Sequence, residues 1–365
     1  MKSIQSVFFS IIVPVLVTSI GIAQSSQKLE SPKLTPTPLT TSEKKLLQEG
    51  IALHDRKLYA EAIAKYTEAI KTNQTNDLLL YEAAYSFYNL KEYDKATGLL
   101  YEAAQYKGNS LGHIYVMLGN ILDERGDPKK AIETYNFGLK QLPKEGALYY
   151  NLAITLQKQN RIDEAKKAAK QSARFRPDHP STHLLLSQLF FTSGDRIPTM
   201  LAAARYLTLE PNSERADLAR NEIRRVLLGG VEKTGENKIN ISVPMGSSQN
   251  EGDFSGVEFS LGMSKITVAK DRGTKSETQL LIGQMETVLD SIDEDSGKSG
   301  KSKFVKAYYL PYFLELGQRK YVETFCYLIN SKSEDAEVKE WISRNQAKID
   351  EFKSWSLSFK WAFAE

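Results

Sequence analysis

The chain is poor in the side chains that most often do chemistry: one of its 365 residues is cysteine and four are histidine. A single thiol excludes an intramolecular disulfide framework. Cys326 lies in the apolar run Phe325-Cys326-Tyr327-Leu328, which predicts a buried, inert sulfur. Of His54, His113, His179 and His183, only the last two are close, at the spacing of a helical metal pair. Pro180 sets His179 ahead of that helix, and no nearby Glu, Asp or Cys completes a ligand set, so no metal site is expected. No histidine follows His183, which leaves the rest of the chain without a Ser-His or Cys-His pair of its own. No catalytic, metal-binding or cofactor-binding residue is assigned.

An excess of charge of one sign is also lacking. The 48 Lys and Arg against 45 Asp and Glu leave a net +3, and no basic run is interleaved with aromatics as a nucleic-acid groove requires. Nucleic acid is therefore not an expected partner, and the pairs Lys44-Lys45 and Lys166-Lys167 read as solvated helix faces. The triplets Gly297-Lys298-Ser299 and Gly300-Lys301-Ser302 resemble part of a phosphate loop. The glycine needed five residues earlier is replaced by Ile292 and Asp295, and the stretch follows a helix rather than a strand, so nucleotide binding is not expected either.

Long apolar runs are confined to the amino terminus. Lys2, then Val7 to Val17, then Gly21-Ile22-Ala23 ahead of Gln24 give the outline of a secretory signal over residues 1–23. The competing reading is a retained membrane anchor reaching Ile22, which Pro14 and Ser19 oppose. The expectation is an exported chain, periplasmic or secreted, that touches a membrane only if this segment is kept. Residues 24–42, with Pro32, Pro36 and Pro38, read as an extended, mobile linker.

What the sequence does have is a period. Pro143, Pro177 and Pro211 fall 34 residues apart, and two series of small residues keep the same beat to within one residue. One is Ala62, Ala96, Ala131, Ala165 and then Thr199; the other is Gly50, Ala84, Gly119, Ala153 and Ser187. Within a unit, Leu80, Ala83, Ala84 and Phe87 make one helical stripe and Ala96, Leu100 and Ala103 another, with Lys91-Glu92-Tyr93-Asp94 as the turn between them. Small residues belong where the helices cross, because larger ones push the axes beyond the usual ~8–10 Å separation.

On these residues the array resembles the tetratricopeptide repeat family, whose unit is a helix-turn-helix of about 34 residues. The third unit carries the pattern best, with Tyr115, Leu118, Gly119, Leu122, Ala131, Tyr135 and Pro143; the first has Leu46, Gly50, Leu53, Ala62, Tyr66 and Ala69, and the fourth Tyr149, Leu152, Ala153, Leu156, Ala165 and Pro177. Gly108 stands where proline is expected in the second, and Thr199 replaces the small alanine of the fifth. The fold expected is mainly α: a solenoid of about five repeats closed by a capping helix over Glu214 to Leu228 (residues 43–228 in all, able to fold alone), followed by a smaller α+β domain at 237–365. Strands are predicted there from the alternation of Ile239, Ile241 and Val243, of Val257, Phe259 and Leu261, and of Ile266 and Val268. Helices are predicted from Lys275 onward, including an aromatic-rich stretch from Phe304.

The resemblance implies a protein or peptide partner held on the first helices of the units. The residues placed outward there are Tyr81, Tyr85, Tyr88, Asn120, Asp123, Tyr150, Ile154, Gln157, Gln188 and Phe191. The function expected is an exported scaffold for protein–protein interaction, without enzyme activity or small-molecule cofactor. The alternative is an enzyme or envelope-assembly factor whose activity resides in the carboxyl-terminal domain, with the repeats recruiting its substrate.

Overall fold

The computed structural model describes residues 28–235, 238–241, 251–295 and 304–361. The signal-like segment, Val243 and the Gly-Lys-Ser triplets lie outside them. The chain divides into two compact units, Met1–Ile114 and Tyr115–Glu365, described in turn.

The period seen in the sequence is a series of helix pairs: α1 (Thr41–Asp55) with α2 (Tyr59–Thr72), α3 (Asp77–Asn89) with α4 (Tyr93–Ala103), α5 (Leu111–Glu124) with α6 (Pro128–Gln141), α7 (Gly146–Lys158) with α8 (Ile162–Phe175), and α9 (Pro180–Thr192) with α10 (Arg196–Leu209). Each pair turns on a residue of positive φ: Lys57, Lys91, Gly126, Asn160 and Gly194, again 34 or 35 residues apart. The residue after each turn returns its N–H five residues back, as Leu58 does to the Leu53 carbonyl and Arg161 to Leu156, which satisfies carbonyls that the helix end leaves open. Starts are equally local. The Thr40 hydroxyl and the Glu43 carboxylate cap α1 reciprocally, and Asp127 accepts from the Lys130 N–H beside Pro128 at the head of α6.

In the first unit Gly50 of α1 faces the ring of Tyr66 on α2 so closely that a Cβ would stand 2.3 Å from Tyr66 Cε1. Leu47, Ala62, Tyr66, Ala69, Leu79 and Ala83 form the core around that contact. Gly108 has its own reason to replace proline: a side chain there would collide with the Asp77 carboxylate, which accepts from the Ser110 N–H at 3.1 Å. The linker is not free over its described part. Lys33 and Leu34 donate backbone N–H groups to the Gln105 carbonyl, Leu34 accepts from Lys107, and Asn76 Nδ2 donates to the Thr37 carbonyl at 2.8 Å. Its prolines keep it extended, and the helices supply the partners an extended backbone needs.

In the second unit the same contact pairs Gly119 of α5 with Tyr135 of α6. Thr199 is tolerated in the fifth pair because its hydroxyl donates to the Asp195 carbonyl at 2.7 Å, one turn back. Lys166 is a correction: it is 3% exposed, with its ammonium 3.2 Å from Asp163 and 3.7 Å from Asp195, and not on a solvated face.

Two expectations fail beyond the repeats. The helix α11 (Ala216–Leu228) is not a terminal cap, since its Arg220 guanidinium is 6% exposed and donates to the Ile329 carbonyl at 2.8 Å. The α+β domain is not there either. Among the described residues the strands are one hairpin, β1 (Val231–Gly235) and β2 (Lys238–Ile241), the second holding Ile239 and Ile241. Val257 to Val268 lie instead in α12 (Ser255–Asp271), whose buried Val257, Leu261, Lys265 and Val268 follow a helical stripe. Phe259 and Ile266, which completed the two-residue alternation, are 69% and 38% exposed. The alternation counted apolar residues that face water.

Helices α13 (Glu277–Asp295), α14 (Phe304–Tyr308), α15 (Leu310–Gln318), α16 (Val322–Ile329), α17 (Ala336–Arg344) and α18 (Gln346–Ser358) complete the unit. Leu281, Met285, Val288, Leu289 and Ile292 are all buried, as their spacing predicts. Pro311 starts a fresh helix, and Lys320 repeats the positive-φ turn of the repeats between α15 and α16. None of the helices among the described residues is long and apolar enough to cross a membrane.

The aromatic stretch is a packing surface for the last repeats. Arg205 of α10, 1% exposed, lies 4.5 Å from the ring centre of Trp361 and 5.4 Å from that of Tyr312, and bonds Asp178 at 3.0 Å. Tyr308 donates to the Ala173 carbonyl at 2.8 Å. A chain ended after Leu228 would leave the Ala173 carbonyl without its Tyr308 donor and the Arg205 guanidinium without the rings that cover it. We expect it to melt well below the full chain or to aggregate, measured by circular dichroism and light scattering; an equally high, single transition would show that α12–α18 add nothing to the repeats.

Candidate functional site

In the first unit the outward face of α3 carries a row of rings. Tyr85 is 37% exposed, and Tyr81 and Tyr88 are half-buried beside it, with ring centres 6.2 and 6.5 Å from that of Tyr85 and nearly parallel planes. The three are one turn apart, so helical spacing alone lines them up. His113 adds a ring 5.7 Å from Tyr81, and Tyr93 one 5.9 Å from Tyr88. His54 stacks 4.5 Å from Tyr85 and shares a 2.7 Å hydrogen bond between Nδ1 and Ser86 Oγ. The sequence reading missed His54, although it occupies in the first repeat the register that Tyr88 holds in the second. Burial pushes the Tyr81 hydroxyl well above its ordinary pKa, aided by the Glu82 carboxylate and Tyr85.

The residues assigned in the second unit fall into three kinds. Tyr150, Ile154, Gln157 and Gln188 are half-buried on α7 and α9, with Tyr150 edge-on to His179 at 4.8 Å. Asn120 and Asp123 are already engaged: Asn120 Oδ1 accepts from the Tyr135 hydroxyl at 2.7 Å, and Asp123 takes the Lys158 ammonium at 2.6 Å. Phe191 belongs elsewhere. Its ring lies 4.7 Å under the Arg225 guanidinium and lines a cleft with Arg196, Thr199, Val226 and Lys265. In that cleft Arg196 donates to the Val226 carbonyl and Lys265 to that of Gly229, so cations meet the negative end of α11. Burial, and after it Arg196, lowers Lys265 to about 8.

His179 caps no helix N–H with its side chain but stands at the head of α9 before Pro180, as predicted. No group of three or more His, Cys, Asp and Glu among the described residues is placed to hold one. Cys326 is 1% exposed, and burial pushes its thiol far up, which keeps it a thiol. His183 is completely buried. Its Nε2 faces the Pro177 carbonyl at 2.8 Å and must carry the proton, so its Nδ1 accepts from the Tyr309 hydroxyl at 2.8 Å.

Burial, with Arg205 next, lowers His183 to about 3, and burial with Arg176 lowers His179 to about 4. Both folded values lie below the ordinary ~6.5, so the stability they confer is full above about 6.5 and is lost as pH falls towards them. The melting temperature should therefore drop between about pH 7 and 5, and less steeply for His183→Gln. A parent protein whose melting point is flat over that range would refute the buried neutral ring.

Residues 124–189 match the family described as Tetratricopeptide repeat. Among curated proteins, the BBSome complex member BBS4 of Bos taurus is 28% identical over 134 residues, 37% of this chain. The match spans about a quarter of that relative, 25% of its length. Among solved structures, PilW, titled a widely conserved type IV pilus biogenesis factor, is 16% identical with a TM-score of 0.43, over 72% of this chain and 97% of PilW. PilF of Pseudomonas aeruginosa is 13% identical with a TM-score of 0.44, over 76% of this chain and 97% of that one.

Proposed function

From a chain that carries tetratricopeptide repeats, we propose that this protein is an exported scaffold that binds a protein or peptide partner through the outward faces of the first helices of its repeats. The observation that carries the reading is the row of Tyr81, Tyr85 and Tyr88 on α3. The neighbouring Ala83 and Ala84 are 1% and 0% exposed and supply the packing of that helix, so the rings are left over from its core. A tyrosine row offers broad apolar contact and several hydroxyls for little loss of side-chain freedom, which suits an extended or helical peptide. Tyr150, Ile154, Gln157 and Gln188 extend the same chemistry on the second unit's own helices. Asn120 and Asp123 serve there only if a partner displaces the bonds they already make.

Export rests on the basic, apolar and small-residue outline of residues 1–23 alone. A partner for such a scaffold is to be sought in the exporting compartment, by capture on the full chain after the signal.

The test is Tyr81→Ala with Tyr85→Ala, read as affinity for the captured partner and as melting temperature. Affinity should fall by an amount typical of interface hot spots, roughly 2 kcal/mol or more, with the melting temperature nearly kept. A large loss of stability would make the rings core. Unchanged affinity at unchanged stability would move the binding face off α3.

A further inference from the structure

Behind the tyrosine row the first unit holds negative charge that nothing in it answers. Glu82 follows Tyr81 on α3, in the register that Gln48, Met117, Asn151 and Leu185 hold in the other repeats. A half-buried carboxylate thus stands at a register where no other repeat carries a charge. No cation or hydrogen-bond donor serves it, and Asp55, the last residue of α1, is close enough to act on it. Burial, and then the Asp55 charge, push the Glu82 carboxyl above its ordinary range. Asp55 is itself placed against its helix, since a carboxylate in the last turn faces the negative end of the dipole.

A third group points the same way. The Tyr66 side chain is completely buried and its hydroxyl has no hydrogen-bond partner. Its ring makes the same contact with Gly50 that Tyr135 makes with Gly119, but Tyr135 donates to Asn120, and the residue after Gly50 is Ile51, which accepts nothing. Burial, and after it the Glu82 and Asp55 carboxylates, push the Tyr66 hydroxyl up, so the three groups are neighbours. A buried hydroxyl left unsatisfied costs about 1–3 kcal/mol, and like charges held together add to that. The walls are already built: His54 bonds Ser86, one turn after Glu82, and stacks on Tyr85, while Tyr81 lies beside it.

Unpaired carboxylates, an idle hydroxyl and flat ring faces share one complement. We propose that this pocket takes a basic side chain, arginine or lysine, of the bound peptide, whose cation lies between Glu82 and Asp55 and against the faces of Tyr81 and Tyr85. The inference rests on the peptide-binding reading and names the anchor that reading leaves open. A guanidinium supplies enough donors for both carboxylates and stacks on a ring at the same time, so arginine fits better than lysine.

The probe is a displayed library of short random peptides, selected on the full chain after the signal. Selected peptides should share a basic residue in fixed register with an apolar or aromatic one. Glu82→Gln with Asp55→Asn should remove that preference and weaken the selected peptides on the order of tenfold or more, whereas an Arg→Gln change in the peptide should cost the parent as much and the double variant little. The double variant should melt at or above the parent, because it removes charge that the fold does not use. Should Glu82→Gln melt lower, Asp55→Asn alone, at an exposed helix end, carries the same test. Peptides selected without a basic residue, or bound equally by parent and variant, overturn the inference and leave the peptide-binding reading standing. A library that yields no binder overturns both.

Discussion

The first and third repeats each depend on one contact, between a residue with no side chain on the first helix and a large ring on the second. Gly50 meets Tyr66 and Gly119 meets Tyr135, each at a distance that leaves no room for a methyl group. Where glycine gives way to a small residue, at Ala84, Ala153 and Ser187, the position is still completely buried. Close approach of the two helices lets short side chains such as Ala62, Ala96, Ala131 and Ala165 fill the crossing, all 0% exposed. It also decides what is left outside. With Leu79, Leu80, Ala83 and Ala84 filling the inner face of α3, its tyrosines are left on the outer one and form the row.

The carboxyl-terminal helices solve a second problem. A stack of repeats ends on an uncovered face, and here that face is polar as well as apolar: Arg205, His183 and the Ala173 carbonyl are all inside the unit. The Pro177 carbonyl takes both the His183 ring and the Arg205 guanidinium, while Tyr308, Tyr309, Tyr312 and Trp361 provide hydroxyls and ring faces. Buried polar groups are cheap only when every partner is present. The closing helices therefore supply hydrogen bonds as well as apolar cover.

The period, the two helices per unit, their turns and the helical stripe of α13 were all legible in the sequence, because each is set by residues within one or two turns of one another. The α+β domain was misread for a physical reason. Val257, Phe259 and Leu261 alternate, but Phe259 points to water, and alternation says nothing about which of its members is buried. The stretch of α11 reads as a terminal cap because nothing local announces that Ile329, more than a hundred residues on, offers its carbonyl to Arg220. For the same reason Lys166 looked exposed: its partner Asp195 comes from the next repeat. On the candidate face, the tyrosine row followed from spacing alone. Glu82 did not, since its interest lies in what surrounds it, an unpaired Asp55 and a hydroxyl that Ile51 cannot satisfy.

The claim that a glycine-to-ring contact closes the helix pair makes an unusual demand on the sign of one measurement. In an ordinary helix Gly→Ala stabilises by roughly 1 kcal/mol through backbone entropy. At Gly119 the added methyl would stand 2.1 Å from Tyr135 Cε1, a ring that is 1% exposed and tied to Asn120, and overpacking of that kind costs about 1–3 kcal/mol. Gly98 of α4, with nothing within 4 Å of a Cβ, is the internal control. Melting the full chain with Gly119→Ala and with Gly98→Ala should lower the transition in the first and raise it slightly in the second. A Gly119→Ala protein that melts above its parent would contradict the account.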